Sequence, residues 1–328
     1  MDRLNRKTLT TAANAMYTYW YASAVSSRPT LLLLHGNPDP ASLWSGLVHD
    51  YLLSYDYGVL APDLIGFGDS DKPEGLQHCK ASSDCSDLAA ALDSEGLDKV
   101  IPVGHDFGAL LASSNSTFHP DRITGLVTLG TAHIPPSPYS FDFEQLRIMQ
   151  EKYLGYCQSW YFPLFTLHGG GNRMKDLCCV EGGLGKWLLD SSNASKEVLL
   201  YARIRTFVFR APLDWYKAVV QNLDLQVEQE ALASGRHVVN VPYFFIAGLQ
   251  DPFSPASAVQ GPMSQGILPN MMQREVDASH WCMLEKLRDI GLAIVEWLGE
   301  QYCWQKICRF LHRSLQSSSI PHLVSCNV

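Results

Sequence analysis

The sequence VIPVGHDFGA, at residues 100–109, is typical of a strand that enters a tight turn and continues as a helix. Gly104 and Gly108 lie two positions before and two positions after Asp106, where a sharp turn leaves little room for a larger residue. Such a turn exposes its central side chain at the carboxyl edge of a sheet. Asp106 stands where an esterase carries serine, and we predict that it is a nucleophile.

Two later residues complete a candidate catalytic triad. Asp251 follows the apolar run YFFIA at residues 243–247, and His280 follows a further predicted strand at 273–276. The chain order of nucleophile, acid and histidine is the one that a triad on a parallel sheet requires. Taken alone, each residue is explained as well by a turn aspartate or a structural histidine, but the order of all three favours the triad.

Short apolar runs recur along the chain and predict buried parallel strands. The runs lie at residues 30–34, 58–60, 100–103, 125–129, 241–247 and 273–276. Helices are predicted at 83–97 and 284–298, so strands and helices alternate. The pattern predicts an α/β fold, with a mostly parallel twisted sheet flanked by helices.

The segment between the fourth and fifth of these runs is rich in aromatic residues and helix formers, which predicts an inserted helical cap. We predict a core made of residues 1–131 and 237–300, a cap at 132–236 and a C-terminal tail at 301–328. We expect the tail to be loosely attached, and a dimer contact is the alternative.

Composition excludes several partners. The chain has 328 residues with 25 Lys+Arg against 33 Asp+Glu, and this acidic balance argues against binding to nucleic acid. No apolar run approaches the ~18 residues that a membrane span needs. The nine cysteines are odd in number and form no CxxC pair, and no secretion signal is evident. We therefore expect reduced thiols, a cytoplasmic monomer or homodimer, and no metal or other cofactor.

Four motifs together resemble those of α/β-hydrolases of the epoxide hydrolase family, which are related to haloalkane dehalogenases. They are HGNP at residues 35–38, APDLIGFGDS at 61–70, GHDFG at 104–108 and SHW at 279–281. The resemblance covers most of residues 15–300 and implies the α/β-hydrolase fold. It also implies that water opens a small hydrophobic epoxide to a vicinal diol.

A further resemblance concerns tyrosines of the cap. The sequence PLDWYK, at residues 212–217, is similar to the family's segment that carries one of two tyrosines gripping the epoxide oxygen, and this implies that role for Tyr216. The second should come from the early cap, where Tyr153, Tyr156 and Tyr161 are candidates. We favour Tyr156 and then Tyr153.

The expected reaction passes through an alkyl ester on Asp106, while the tyrosines donate hydrogen bonds to the oxygen that leaves carbon. His280, oriented by Asp251, then activates water, and backbone N–H groups of Asn37 and Phe107 form an oxyanion hole. The pocket is expected to include several further residues. These are His35, Pro38, Tyr153, Trp215 and Trp281.

Two other functions stay open. A haloalkane dehalogenase is suggested by Asn37, although Phe107 lacks the indole N–H that such enzymes usually have after the nucleophile. A non-catalytic protein that binds a small ligand in the same pocket is the second alternative. The HGGG sequence at 168–171 resembles a lipase oxyanion motif, but it follows the nucleophile in the chain and is interpreted as a cap loop.

Overall fold

The computed structural model describes the backbone of residues 1–167 and 210–317 and the side chains of 1–167 and 211–302. Within these ranges eight strands form one sheet in the order β1-β2-β4-β3-β5-β6-β7-β8. Their bounds are Asn5–Thr10 (β1), Met16–Ala22 (β2), Thr30–Leu34 (β3), Gly58–Pro62 (β4), Ile101–His105 (β5), Leu126–Leu129 (β6), Tyr243–Gly248 (β7) and Met271–Val276 (β8).

The sheet is antiparallel at one edge and parallel elsewhere. β1 pairs with β2, and β2 pairs with β4, in antiparallel register, whereas the pairs from β4 through β3, β5, β6 and β7 to β8 are parallel. Parallel strands that are covered on both faces read as continuous apolar runs. The five strands from β3 to β7 match this rule, because each position in them is buried.

Helices cover both faces of the sheet. The described α-helices are Ser45–Leu47 (α1), Ala81–Ser94 (α2), Phe107–Phe118 (α3), Phe143–Leu154 (α4), Phe162–Thr166 (α5), Arg210–Val220 (α6), Leu225–Ala233 (α7), Gln260–Ser264 (α8), Cys282–Glu285 (α9) and Leu287–Ser317 (α10). Alternate strand side chains lie on opposite faces: Leu33 belongs to the same buried cluster as Ile294 of α10, and Leu34 to the same buried cluster as Leu111 of α3. None of the helices in the described ranges combines the length and apolar character needed to cross a membrane.

The structure confirms the predicted α/β fold and the six predicted strands, with small shifts at their ends. The hairpin of β1 and β2 was not among the predicted strands. The last helix begins at Leu287 and continues to Ser317, beyond the predicted end at 298. Tyr302 in this helix donates a hydrogen bond to the backbone oxygen of Thr124 over 2.9 Å. The HGGG sequence at 168–171 lies outside the described residues.

Four helices follow β6 and precede β7 in the described chain, and they are α4, α5, α6 and α7. This helical insertion follows the carboxyl end of β6, so it begins next to the carboxyl edge of the parallel strands. Ligands of open α/β sheets bind at that edge, so the insertion stands where it can cover a site.

Candidate active site

Asp106 lies in the turn between β5 and α3, with a φ of 55° and a ψ of −122°. A non-glycine residue with positive φ is strained, and such strain is concentrated at functional sites. A Cβ atom at Gly104 would overlap with the backbone of Gly108, and one at Gly108 would overlap with the backbone of Leu34. The two glycines therefore allow the strand and helix to approach closely, and the turn has the geometry of a nucleophile elbow.

His280 lies between the two carboxylates of the candidate triad. Its Nδ1 is 2.8 Å from Oδ2 of Asp251, and its Nε2 is 3.4 Å from Oδ2 of Asp106. All three residues come from the carboxyl ends of strands, since Asp106 follows β5, Asp251 follows β7 and His280 follows β8. An Nδ1–H group that donates to Asp251 leaves Nε2 facing the nucleophile, which is the arrangement of a base with its orienting acid.

The other oxygen of Asp106 faces backbone donors. The N–H of Asn37 donates to Oδ1 over 2.8 Å, and the N–H of Phe107 also hydrogen bonds to this carboxylate. Burial raises the pKa of Asp106. The hydrogen bond and the charge of His280 lower it by more than burial raises it, so the pKa lies below its usual value. Asp106 is therefore a carboxylate, with Oδ1 held by the N–H of Asn37 and Oδ2 beside His280.

Tyr216 and Tyr161 lie together above the nucleophile. Their rings are 5.9 Å apart at an angle of 85°, and the Tyr216 ring also packs 4.5 Å from Phe107. Burial raises the pKa of both phenols, and the negative charge of Asp106 raises each of them further. Both hydroxyl groups are thus protonated, and both lie near enough to Asp106 for its charge to raise their pKa.

The structure does not bring Tyr156 or Tyr153 to the nucleophile. The Tyr156 side chain is 45% exposed and its hydroxyl donates to the backbone oxygen of Pro252 over 2.9 Å. Tyr153 is 72% exposed, at the end of α4. The early-cap tyrosine beside Tyr216 is therefore Tyr161, at the start of α5.

Two of the remaining predicted pocket residues, His35 and Trp215, form hydrogen bonds to backbone groups of the loop after β4. His35 is buried, and its Nε2 accepts from the N–H of Leu64 over 2.9 Å. Trp215 donates from Nε1 to the backbone oxygen of Ile65 over 3.2 Å, and its ring packs edge-on against Phe107 at 5.6 Å.

The other two predicted pocket residues are Pro38 and Trp281. Pro38 follows Asn37 through a cis peptide bond and is half-buried. Trp281 packs 5.1 Å from His280.

Two polar residues near the triad were not predicted. Asp39 is buried and accepts a hydrogen bond from Nε1 of Trp281 over 2.8 Å. Burial raises its pKa to about 7, against the lowering effect of that hydrogen bond. His105 donates from Nε2 to the backbone oxygen of His280 over 2.9 Å, and burial lowers its pKa to about 3. The sequence signal that could have identified Asp39 was its position as an acidic residue directly after the HGNP motif.

The site offers covalent and acid–base chemistry rather than a cluster of metal ligands. Within the described ranges, no three His, Cys, Asp or Glu side chains are grouped closely enough to hold a metal ion. A carboxylate paired with an imidazole, with two phenols nearby, has the groups that displacement of oxygen from saturated carbon requires.

Comparisons with known proteins agree with this fold. The family model described as "alpha/beta hydrolase fold" matches residues 29–171. Epoxide hydrolase 3 of Siraitia grosvenorii is 40% identical over 140 residues, which cover 42% of this chain and 42% of that protein. Epoxide hydrolase A of Mycobacterium tuberculosis is 26% identical over 307 residues, covering 82% of this chain and 90% of that protein. The chain thus spans less than half the length of the first curated relatives that it matches.

Among solved structures, the epoxide hydrolase VrEH1 of Vigna radiata superposes with a TM-score of 0.71 at 22% identity, covering 92% of this chain and 99% of that one. At this identity the likeness concerns the fold. The chain therefore has the α/β-hydrolase fold, and the relatives named above are epoxide hydrolases.

Proposed function

We propose that this protein is an epoxide hydrolase that opens a hydrophobic epoxide to a vicinal diol through an ester on Asp106. One observation carries the proposal: the buried Tyr216 and the half-buried Tyr161 lie together beside a carboxylate nucleophile that has a histidine base. An oxygen that leaves saturated carbon as an alkoxide needs a donor on the side away from the nucleophile, and phenols supply it.

In the first half-reaction, Oδ2 of Asp106 attacks an epoxide carbon. Oδ1 is held by the N–H of Asn37 at 2.8 Å, whereas Oδ2 has the longer contact of 3.4 Å to Nε2 of His280, so Oδ2 forms the new C–O bond. The bond between that carbon and the epoxide oxygen breaks, and the tyrosine hydroxyls stabilise the oxygen as it becomes negative. The product is an alkyl ester whose carbonyl oxygen, Oδ1, already lies among N–H donors.

In the second half-reaction, water attacks the carbonyl carbon of the ester. His280 takes a proton from the water, and Asp251 at 2.8 Å keeps the imidazole in the correct orientation. Negative charge then develops on Oδ1, where the N–H groups of Asn37 and Phe107 stabilise it. Collapse of this intermediate breaks the bond between Cγ and Oδ2, and Oδ2 leaves as a hydroxyl of the diol with the second proton of the water. Asp106 is thereby restored as a carboxylate beside a protonated His280. Asp106, Asp251 and His280 keep the roles predicted from the sequence, while Tyr161 takes the role that we expected of Tyr156.

The surroundings of the nucleophile favour an apolar substrate. A cavity of about 220 Å³ borders the site at Phe107 and Trp215, which line it together with Leu110, Ile134 and Val219; the triad and the two tyrosines are not among its lining residues. Small-molecule sites are typically lined in this way, with a few polar groups that fix orientation. We propose that the epoxide carries an apolar substituent and that the polar groups around Asp106 contact the three-membered ring alone.

A dehalogenase is the second candidate, because the side-chain amide of Asn37 reaches the same site. Its Nδ2 lies 3.5 Å from the Tyr216 hydroxyl, where it could contact a departing halide. Phe107 follows the nucleophile and has no N–H to share that anion. The epoxide reaction therefore has more donors in place than the release of a halide.

Intact mass of the His280→Ala variant tests these functions together. Without its base the enzyme should accumulate the ester after incubation with a panel of epoxides and haloalkanes. A mass gain equal to a whole epoxide supports the proposal, whereas a gain equal to an alkyl group without its halogen supports dehalogenation. The matched control is the His280→Ala, Asp106→Asn double variant, which should gain no mass.

A third outcome separates catalysis from binding. A folded His280→Ala variant that gains no mass, together with wild-type protein that binds a panel member without converting it, would indicate a ligand-binding protein. Thermal unfolding of each variant checks that the fold is retained. Diol formation by the wild-type protein and none by Asp106→Asn would exclude a protein that only binds its ligand.

A further inference from the structure

Asn37 contacts both sides of the reacting centre. Its backbone N–H donates to Oδ1 of Asp106 over 2.8 Å, and its side-chain Nδ2 donates to the hydroxyl of Tyr216 over 3.5 Å. The first contact belongs to the oxyanion hole and does not depend on the side chain. The second depends on the side chain alone, so a substitution at this position changes one contact and keeps the other.

The ring of Tyr216 is buried among aromatic side chains. The side chain is 3% exposed, and its ring lies 4.9 Å from the ring of Phe165 and 5.3 Å from that of Phe162. Among the described side chains, the amide of Asn37 is the hydrogen-bond partner recorded for this hydroxyl. A buried phenol is costly without a partner, so this single contact has a large effect on the direction of the O–H group.

The direction of the hydrogen bond determines what Tyr216 can do. The amide N–H occupies a lone pair of the phenol oxygen and has no acceptor to offer in return, so the proton of Tyr216 is left for another acceptor. The same contact lowers the pKa of Tyr216, against the larger effect of burial, which raises it. A donor at this point also stabilises the phenolate that forms if Tyr216 gives up its proton.

We infer that the Asn37 side chain is a positioning residue that holds Tyr216 as the proton donor of ring opening. This inference rests on the proposed function. As the Oδ2–carbon bond forms and the carbon–oxygen bond of the epoxide breaks, the Tyr216 proton passes to the departing oxygen. The phenolate then regains a proton from His280 through water, after the ester has neutralised Asp106, and His280 next takes a proton from the attacking water.

The tyrosines consequently differ in their roles. Among the described residues the Tyr161 hydroxyl has no hydrogen-bond partner, whereas the Tyr216 hydroxyl accepts from the Asn37 amide. Tyr161 stabilises the departing oxygen by hydrogen bonding, and Tyr216 supplies the proton. Removing the amide therefore affects only the step in which Tyr216 changes charge.

A double-mutant cycle tests this inference with single-turnover rates of ring opening and of ester hydrolysis. Asn37→Leu keeps the backbone N–H and removes the amide. We expect about 10- to 100-fold slower ring opening, the effect of a hydrogen bond to a charged group, and ester hydrolysis within about two-fold of wild type. In the Tyr216→Phe background the same substitution should change ring opening by less than about two-fold.

Several results would overturn the inference. One is an equal effect of Asn37→Leu with and without Tyr216, which would indicate a general structural role. Another is an equal slowing of both half-reactions, which would indicate a disturbed oxyanion hole. Unchanged ring opening in Asn37→Leu would also exclude the role. The Asn37→Asp variant adds a check, because a carboxylate accepts the Tyr216 proton and should slow ring opening more than leucine does.

A measurement without substrate separates this inference from the proposed function. The side-chain amide signal of Asn37, assigned in ¹⁵N-labelled protein by its absence in Asn37→Leu, should shift in Tyr216→Phe and stay in place in Tyr153→Phe. A shift without any diol formation means that the contact exists and the proposed function is wrong. Diol formation without a shift and without coupling means that the function holds and the role of Asn37 is wrong.

Discussion

Nε2 of His280 lies 3.4 Å from Oδ2 of Asp106, and the imidazole is paired on its other side with Asp251. Burial alone would lower the pKa of His280, but the charge of Asp251 and the hydrogen bonds to both carboxylates raise it to about 10. The resting imidazole is therefore a cation near neutral pH. Formation of the ester removes the charge of Asp106, which lowers the pKa of His280 and prepares it to act as a base.

The Asp106→Asn variant imitates this loss of charge. We expect the pKa of His280 to fall by at least one unit, as followed by NMR titration of the histidine ring. Asp277→Asn is the control, because Asp277 is exposed and hydrogen bonds to Gln250 rather than to the triad. An unchanged pKa of His280 in Asp106→Asn would contradict the coupling between nucleophile and base.

The choice between the early-cap tyrosines is directly testable. Tyr161→Phe should slow ring opening about 10- to 100-fold, because a donor to a developing negative charge is lost. Tyr156→Phe should stay within about two-fold of wild type, since its hydroxyl bonds to the backbone oxygen of Pro252. Single-turnover rates with one epoxide compare the two variants. A larger effect of Tyr156→Phe than of Tyr161→Phe would instead identify Tyr156 as the partner of Tyr216.

The sequence could not decide between these tyrosines for a physical reason. Tyr153, Tyr156 and Tyr161 lie within nine residues, and which of them is buried depends on where α4 ends and α5 begins. α4 ends at Leu154 and is capped by Gly155 with a φ of 82°, and a turn then places Tyr161 at the start of α5. The turn changes the direction of the chain, so spacing along the sequence does not predict which hydroxyl faces Asp106.

The strands also fall into those that the sequence predicts and those that it does not. Those from β3 to β7 are buried at each position and appear in the sequence as unbroken apolar runs, so they were predicted. β1 has mostly exposed positions and lies at the antiparallel edge of the sheet, where no apolar run is required. The aromatic residues of MYTYWYA in β2 were the available signal for this hairpin.

Asp39 predicts a dependence of stability on pH. Burial raises its pKa to about 7 from an ordinary value of 3.8, so its contribution to stability is present below about pH 3.8 and lost as pH rises through 7. We expect the free energy of unfolding of wild type to fall between pH 5 and pH 8, by at least about 1 kcal/mol more than that of Asp39→Asn. Urea unfolding at both pH values measures this difference, and the exposed Asp69→Asn variant should behave like wild type.

Asp224 connects the helical insertion to the core, and this contact is the basis of the last prediction. It follows α6, and its carboxylate accepts from the backbone N–H groups of Ala81 and Ser82 and from the Ser82 hydroxyl, at the start of α2. Lys80, at the N-cap position of α2, provides no side-chain cap, so Asp224 satisfies donors that the helix would otherwise leave unpaired.

Asp224→Ala should lower the free energy of unfolding by about 1 to 2 kcal/mol, because it removes both a cap and a negative charge at a helix N-terminus. Asp224→Asn keeps an acceptor oxygen and should lose less. Asp142→Ala is the matched comparison, since Asp142 caps α4 within its own segment through the N–H of Gln145 at 3.0 Å. Asp224 joins segments that are 143 residues apart, whereas Asp142 acts locally. Urea unfolding should therefore show a larger loss for Asp224→Ala, and an equal or smaller loss would mean that the contact does not hold the insertion against the core.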